Sequence, residues 1–129
     1  MINQVHWLRV VIAAFIVEVG LAVTAIPFVL LIGPPAYVTA VPIVCVIVPF
    51  VVVWFATRKL PGARVPHGLL IGIVATVLYF ALVIGASSIA EAVASYGSVA
   101  MLAVVNVLRV AGAVAGGYAA DRRAAASAA

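Results

Sequence analysis

The sequence predicts an all-α integral membrane protein of four transmembrane helices in an up-down-up-down bundle, with both termini cytoplasmic. Three observations predict it. Of the 129 residues, 68% are hydrophobic and 8% charged, where ordinary soluble domains carry about 25% charged residues. Four apolar segments, Leu8 to Ile32, Ala36 to Ala56, Leu69 to Ser88 and Val99 to Ala120, are long enough to cross a bilayer, which takes about 20 residues. If each crosses, Arg9, Arg58, Lys59, Arg64, Arg122 and Arg123 all fall on one side, as the bias of lysine and arginine toward the cytoplasm requires. The seventh basic residue, Arg109, lies inside the last segment. A chain of this length makes one domain, residues 1–129.

In the first segment a basic residue, Arg9, precedes an apolar run, and Val23-Thr24-Ala25 resembles a signal-cleavage tripeptide. Glu18 would fall within the apolar core of such a signal, and the run continues to Ile32, so a retained helix is expected. Pro27 is expected to kink its outer end. Gly33-Pro34-Pro35 is a tight turn. The second segment is rich in valine and isoleucine and carries Pro42 and Pro49 nearly on one face. Having few small residues, it is expected to be the most lipid-exposed helix. Thr57 to Gly68 reads as a cytoplasmic loop, broken by Pro61, Gly62 and Pro66. The third segment carries a small-residue strip at Gly68, Gly72 and Thr76. Ser87 to Ser98 is an external connection with a short interfacial helix around Glu91. Residues 121–129 are expected to fray. Trp7, Trp54 and Tyr118 fall at the inner boundary and Tyr37 and Tyr96 at the outer, where amphipathic rings prefer to sit.

The net charge of +4 does not point to nucleic acid, because the basic residues cluster at segment ends and not along a solvated face. The single cysteine, Cys45, has no disulfide or metal-ligand companion and reads as packing filler. His6 and His67 have no carboxylate or thiolate nearby and make no metal site. No catalytic motif is present: no serine with a partner base, no HExxH, no phosphate loop and no carboxylate pair. Neither a catalytic residue nor a cofactor is expected.

The informative polar residues are those in apolar surroundings. Glu18 is nine residues from Arg9, roughly 13.5 Å at 1.5 Å per residue, and Arg109 is twelve from Asp121, roughly 18 Å. Half the hydrocarbon thickness is about 15 Å, so both reach the midplane on antiparallel helices. Asn106 lies one turn from Arg109, and Tyr79 is at similar depth. The expected buried polar cluster is therefore Glu18, Arg109, Asn106 and Tyr79. Close helix packing is expected at the small residues Ala14, Ala22, Gly68, Gly72, Gly112 and Gly116, because glycines and alanines four apart let another helix approach. Helices 1, 3 and 4 are expected to make the tight contacts. Offset by 61, His6 aligns with His67, Ala14 with Ala75 and Glu18 with Tyr79, as in a parallel two-plus-two duplication.

The run Ala14-Phe15-Ile16-Val17-Glu18-Val19-Gly20 resembles the first helix of small multidrug-resistance exporters, four-helix antiporters with one membrane-embedded glutamate. That family's tryptophan-containing third-helix pattern is missing here, and Arg109 would neutralise the glutamate an antiporter must protonate. Asn3 with Trp7-Leu8-Arg9-Val10 at the start, and Ala113-Val114-Ala115-Gly116-Gly117-Tyr118 at the end, are similar to small four-helix bacterial inner-membrane proteins of uncharacterised function. This resemblance implies a multi-pass protein of the bacterial cytoplasmic membrane and transfers no functional residue.

Two functional readings stand at this point. One is a non-enzymatic structural or accessory membrane protein, with the Glu–Arg cluster setting helix register. The other is a small-solute or proton-coupled transporter using Glu18 at mid-membrane. The expected partners are the lipid bilayer and a second copy or another membrane protein, not nucleic acid. Whether Glu18 lines an accessible cavity or is sealed against Arg109 separates the two.

Overall fold

The computed structural model describes residues 5–129, so the expectation for Asn3 lies outside the described residues. The chain forms α1 (Trp7–Ile32), a 3-10 turn (Pro34–Tyr37), α2 (Ala40–Thr57), α3 (Arg64–Ala86), α4 (Ile89–Tyr96) and α5 (Val99–Ala128), with no strand among the described residues. All helices but α4 are long and apolar enough to cross a membrane. They form a four-helix bundle. Its basic end carries Arg9, Arg58, Lys59 and Arg64, and its neutral end carries the 3-10 turn and α4.

Glycine positions define the packing. On α5, Gly112 and Gly116 lie against the backbone carbonyls of Val46 and Phe50 on α2, so a side chain at either position would collide with main chain. The steps 112 to 116 and 46 to 50 run in the same sense, which makes α2 and α5 parallel. On the other side of α5 the order reverses. A Cβ at Gly68 would come 2.6 Å from the Ala113 carbonyl oxygen, and one at Gly117 would come 2.6 Å from that of Arg64. Those pairs make α3 antiparallel to α5. Gly72 extends the seam onto Val110.

Two packing expectations are corrected here. The second segment is not the most lipid-exposed helix: α2 packs closely along α5. A close seam needs small residues on one partner only, and α5 supplies both glycines. The first, third and fourth spanning helices do not all pack tightly together either. The ring order is α1, α2, α5, α3, and α1 and α5 are diagonal, with no Cα pair within 8 Å among the described residues. The tightest contacts are α5 on α2 and α5 on α3, with α1 completing the ring. Depth along a helix is readable from residue spacing; direction around it is not. Ala14 is buried on the inner face of α1, whereas Ala22 is exposed, because the stripe runs Val10, Ala14, Val17, Leu21.

Helix limits differ from the expected ones at prolines and in the alanine-rich tail. α3 begins at Arg64 instead of Leu69, because Pro66 falls in the first turn, where a missing N–H costs nothing. α2 begins at Ala40, after the 3-10 turn, with Pro42 likewise in its first turn. α1 runs unbroken through Pro27. Instead of fraying, residues 121–128 continue α5: alanine is the best helix former, and Asp121 pairs with Arg64 at 2.9 Å. Ser88 caps α4 by accepting from the Glu91 N–H at 3.2 Å, and Ser98 caps α5 by accepting from the Met101 N–H at 3.1 Å. Gly97 between them takes the left-handed conformation, φ 80°.

Ala63, before α3, is the one non-glycine residue with positive φ among those described, at 54°. A left-handed L-residue costs roughly 1–2 kcal/mol, which glycine avoids. Ala63→Gly should therefore stabilise the fold by about 1 kcal/mol, read as a higher melting temperature in detergent. A lower one would show that this turn is not strained.

Candidate functional site

At mid-length the centre of the bundle is polar. Arg109 extends from α5 across the diagonal, and its Nε lies 3.5 Å from Glu18 Oε1 on α1, with both side chains more than nine-tenths buried. The separation suits charge attraction but is long for a hydrogen bond, where N–H donors sit at about 2.7–3.2 Å. Both of those atoms lack a hydrogen-bond partner among the described residues. Asn106 holds the guanidinium from the other side. Its Oδ1 accepts from Arg109 Nη1 at 2.9 Å, while its Nδ2 donates to the Leu102 carbonyl at 2.8 Å. The amide is thus anchored to its own helix and orients the arginine. Tyr79 on α3 places its ring face 4.5 Å from Arg109 Cζ, a cation–π distance.

Glu18, Arg109, Asn106 and Tyr79 therefore meet. They do so because α1 and α3 run in parallel at a shift of 61 residues. At the basic end the His6 N–H donates to His67 Nε2 at 3.1 Å, and further along Glu18 and Tyr79 both reach Arg109. The two histidines meet, but not as metal ligands. His67 Nδ1 is bonded to the Ala63 carbonyl at 2.7 Å, so this nitrogen carries the proton and the other accepts, leaving no lone pair for a metal. No cluster of three metal-ligating side chains exists among the described residues. Of the packing residues, Ala14, Gly68, Gly72, Gly112 and Gly116 are buried at helix contacts, and Ala22 is not.

The polar centre is not sealed. Fully buried residues on α1 end at Leu21 and on α3 at Ala75, and toward the neutral end both helices carry only partly buried or exposed residues. Between them lies an open cavity of ≈ 610 Å³. Glu18, Arg109 and Tyr79 line it at mid-length, Leu21, Val29, Leu82 and Val83 line its walls, and Tyr37, Ser87 and Tyr96 line it toward the neutral end. The Tyr37 and Tyr96 rings meet edge to face at 5.2 Å. Burial raises the Tyr96 phenol above its ordinary pKa, so it stays neutral. Cys45, read from sequence as filler, also lines the cavity. Sequence reasoning missed the roles of Tyr37, Tyr96 and Cys45. The available signal was the pair of tyrosines expected at one membrane boundary, a pattern that places a ring in depth without saying what it faces.

The class defined by this fold and site is a small all-α bundle with a buried ion pair across its diagonal and a wedge leading to it. Comparison with protein-family models, with curated proteins and with solved structures finds no match for this chain.

Proposed function

We propose that this chain is a non-enzymatic, multi-pass protein of the bacterial cytoplasmic membrane, with both termini in the cytoplasm, and that its wedge takes up a small solute from the outer side. One observation carries the reading: the ≈ 610 Å³ cavity ends on Glu18 and Arg109 and is not closed above them. That volume is in the range of small-molecule sites, about 300–1,000 Å³. The paired charges cancel, and the walls are apolar and aromatic. This combination suits a mostly apolar solute with no net negative charge. The side of the bundle that bears Arg9, Arg58, Lys59 and Arg64 supports the orientation, and the terminal segments similar to bacterial inner-membrane proteins support the location. The structural or accessory reading shares the same topology and differs in what the ion pair is for.

Single cysteines placed at Ala25 and at Lys59, each in a Cys45→Ala background, test the proposal in intact cells. A membrane-impermeant maleimide added outside should label the first, at the wedge, and spare the second until the membrane is opened. Labelling of Lys59→Cys from outside would invert the topology. An Ala25→Cys side chain that stays unlabelled from both sides would mean that the wedge is filled by lipid or a partner helix, and the accessory reading would replace this one.

A further inference from the structure

A second site lies at the basic end, far from the wedge. Arg58 closes α2, Lys59 follows it, and Arg123 projects from the last turns of α5. With Ser127 they line a cleft of ≈ 420 Å³. Two of these cations share one aromatic ring: Arg58 Cζ is 5.4 Å and Arg123 Cζ 5.3 Å from the Trp54 centroid. Like charges held on one indole repel, and no salt bridge offsets them among the described residues. The nearest acidic residue in sequence, Asp121, is engaged by Arg64, and no salt bridge to Arg58, Lys59 or Arg123 occurs among the described residues. The cleft is therefore cationic.

Beside it runs an apolar groove of ≈ 650 Å³ between α1 and α2, bounded by Leu8, Ile12, Ile16 and Val51 and ending at Arg9. Phe55 joins the two features. Its ring lines the groove, and the Arg58 guanidinium lies 4.5 Å from its centroid. From Leu8 to Ile16 the groove follows eight residues of helix, roughly 12 Å, most of the ~15 Å hydrocarbon depth of one leaflet.

We propose that the basic end binds one anionic phospholipid, its headgroup phosphate on Arg58, Lys59 and Arg123 and an acyl chain in the α1–α2 groove. The inference rests on the membrane reading above but not on the wedge or its solute. A free phosphate shares the headgroup chemistry and would use the cleft alone; continuity with the groove selects the lipid.

Lipid retention by the full chain, purified in detergent with equimolar phosphatidylglycerol and phosphatidylcholine and read by native mass spectrometry, tests this. The unmodified protein should retain phosphatidylglycerol over phosphatidylcholine by at least about tenfold, since each basic residue near a headgroup adds to the attraction. The variant Arg58→Gln/Lys59→Gln/Arg123→Gln should fall to near parity with its helix content unchanged. Ala56→Phe, which fills the groove and keeps the three cations, should lower phosphatidylglycerol retention several-fold. Equal retention of both lipids by the unmodified chain, or a preference that survives the triple change, overturns the proposal. So does stabilisation by inorganic phosphate equal to that by phosphatidylglycerol, which would make the cleft a soluble-anion site. Retention unaffected by Ala56→Phe removes the groove from it.

Discussion

Arg109→Leu should be among the most damaging single substitutions in this protein, because it leaves Glu18 in the bundle centre without its counter-charge. Breaking a buried ion pair from one side costs about 3–5 kcal/mol, whereas replacing both partners with apolar residues is often nearly neutral. Glu18→Leu together with Arg109→Leu should thus be closer in stability to the unmodified protein than either single variant. The four proteins form a double-mutant cycle, read by thermal or denaturant unfolding in detergent. Arg109→Leu also frees the Asn106 Oδ1 acceptor, so the single arginine change should cost more than the single glutamate change. Additive losses would mean that the 3.5 Å approach carries no coupling energy. The double variant also discriminates between the functional readings. A solute site should lose uptake while the fold survives, whereas a pair that only fixes helix register should leave the cellular role mostly intact.

Gly112→Leu and Gly116→Leu should have effects of comparable size by a different route. The first atom of either side chain would land on the Val46 or Phe50 carbonyl of α2. A main-chain atom cannot rotate away as a side chain can, so α2 and α5 must move apart along their length. Overpacking in a filled core costs typically 1–3 kcal/mol and occasionally more, and these two positions belong at the upper end or beyond. Val107→Leu is the matched control, since Val107 is 66% exposed. Val105, one turn from Arg109 and 1% exposed, would be a poor one. Equal melting temperatures for Gly116→Leu and Val107→Leu would show that the α2–α5 seam is looser than these contacts require.

The two experiments probe different layers of the same design. The glycines set how close α5 lies to its neighbours, and that closeness decides where the arginine side chain ends. Moving α5 outward should therefore weaken the Glu18–Arg109 coupling as well as the fold. The Gly116→Leu background should reduce the coupling energy measured in the cycle.

The linear chain determined several properties by itself. Helix number and approximate span followed from apolar length, because a helix satisfies its own backbone and needs only side chains suited to its surroundings. The shared depth of Glu18, Arg109, Asn106 and Tyr79 followed from a constant rise per residue, which makes height along a helix a matter of counting. The glycine strip on α5 was legible because close approach has one chemical requirement, a missing Cβ.

Tertiary structure decided what counting along a helix cannot reach. Which helix meets which depends on azimuth and on both surfaces at once. Val46 and Phe50 carry no sign in their own identity that glycines will rest on their carbonyls. Arg109 reaches Glu18 across the diagonal because its side chain is long, so the contact between those residues did not imply adjacent helices. Pro66 opened α3 instead of preceding it, since proline breaks a helix only where an N–H or the preceding turn is needed. The wedge is a property of the assembled helices, the space left where neither α1 nor α3 buries a residue fully beyond Leu21 and Ala75. No single residue encodes that space, which is why Tyr37, Cys45 and Tyr96 became part of a site only when the chain was folded.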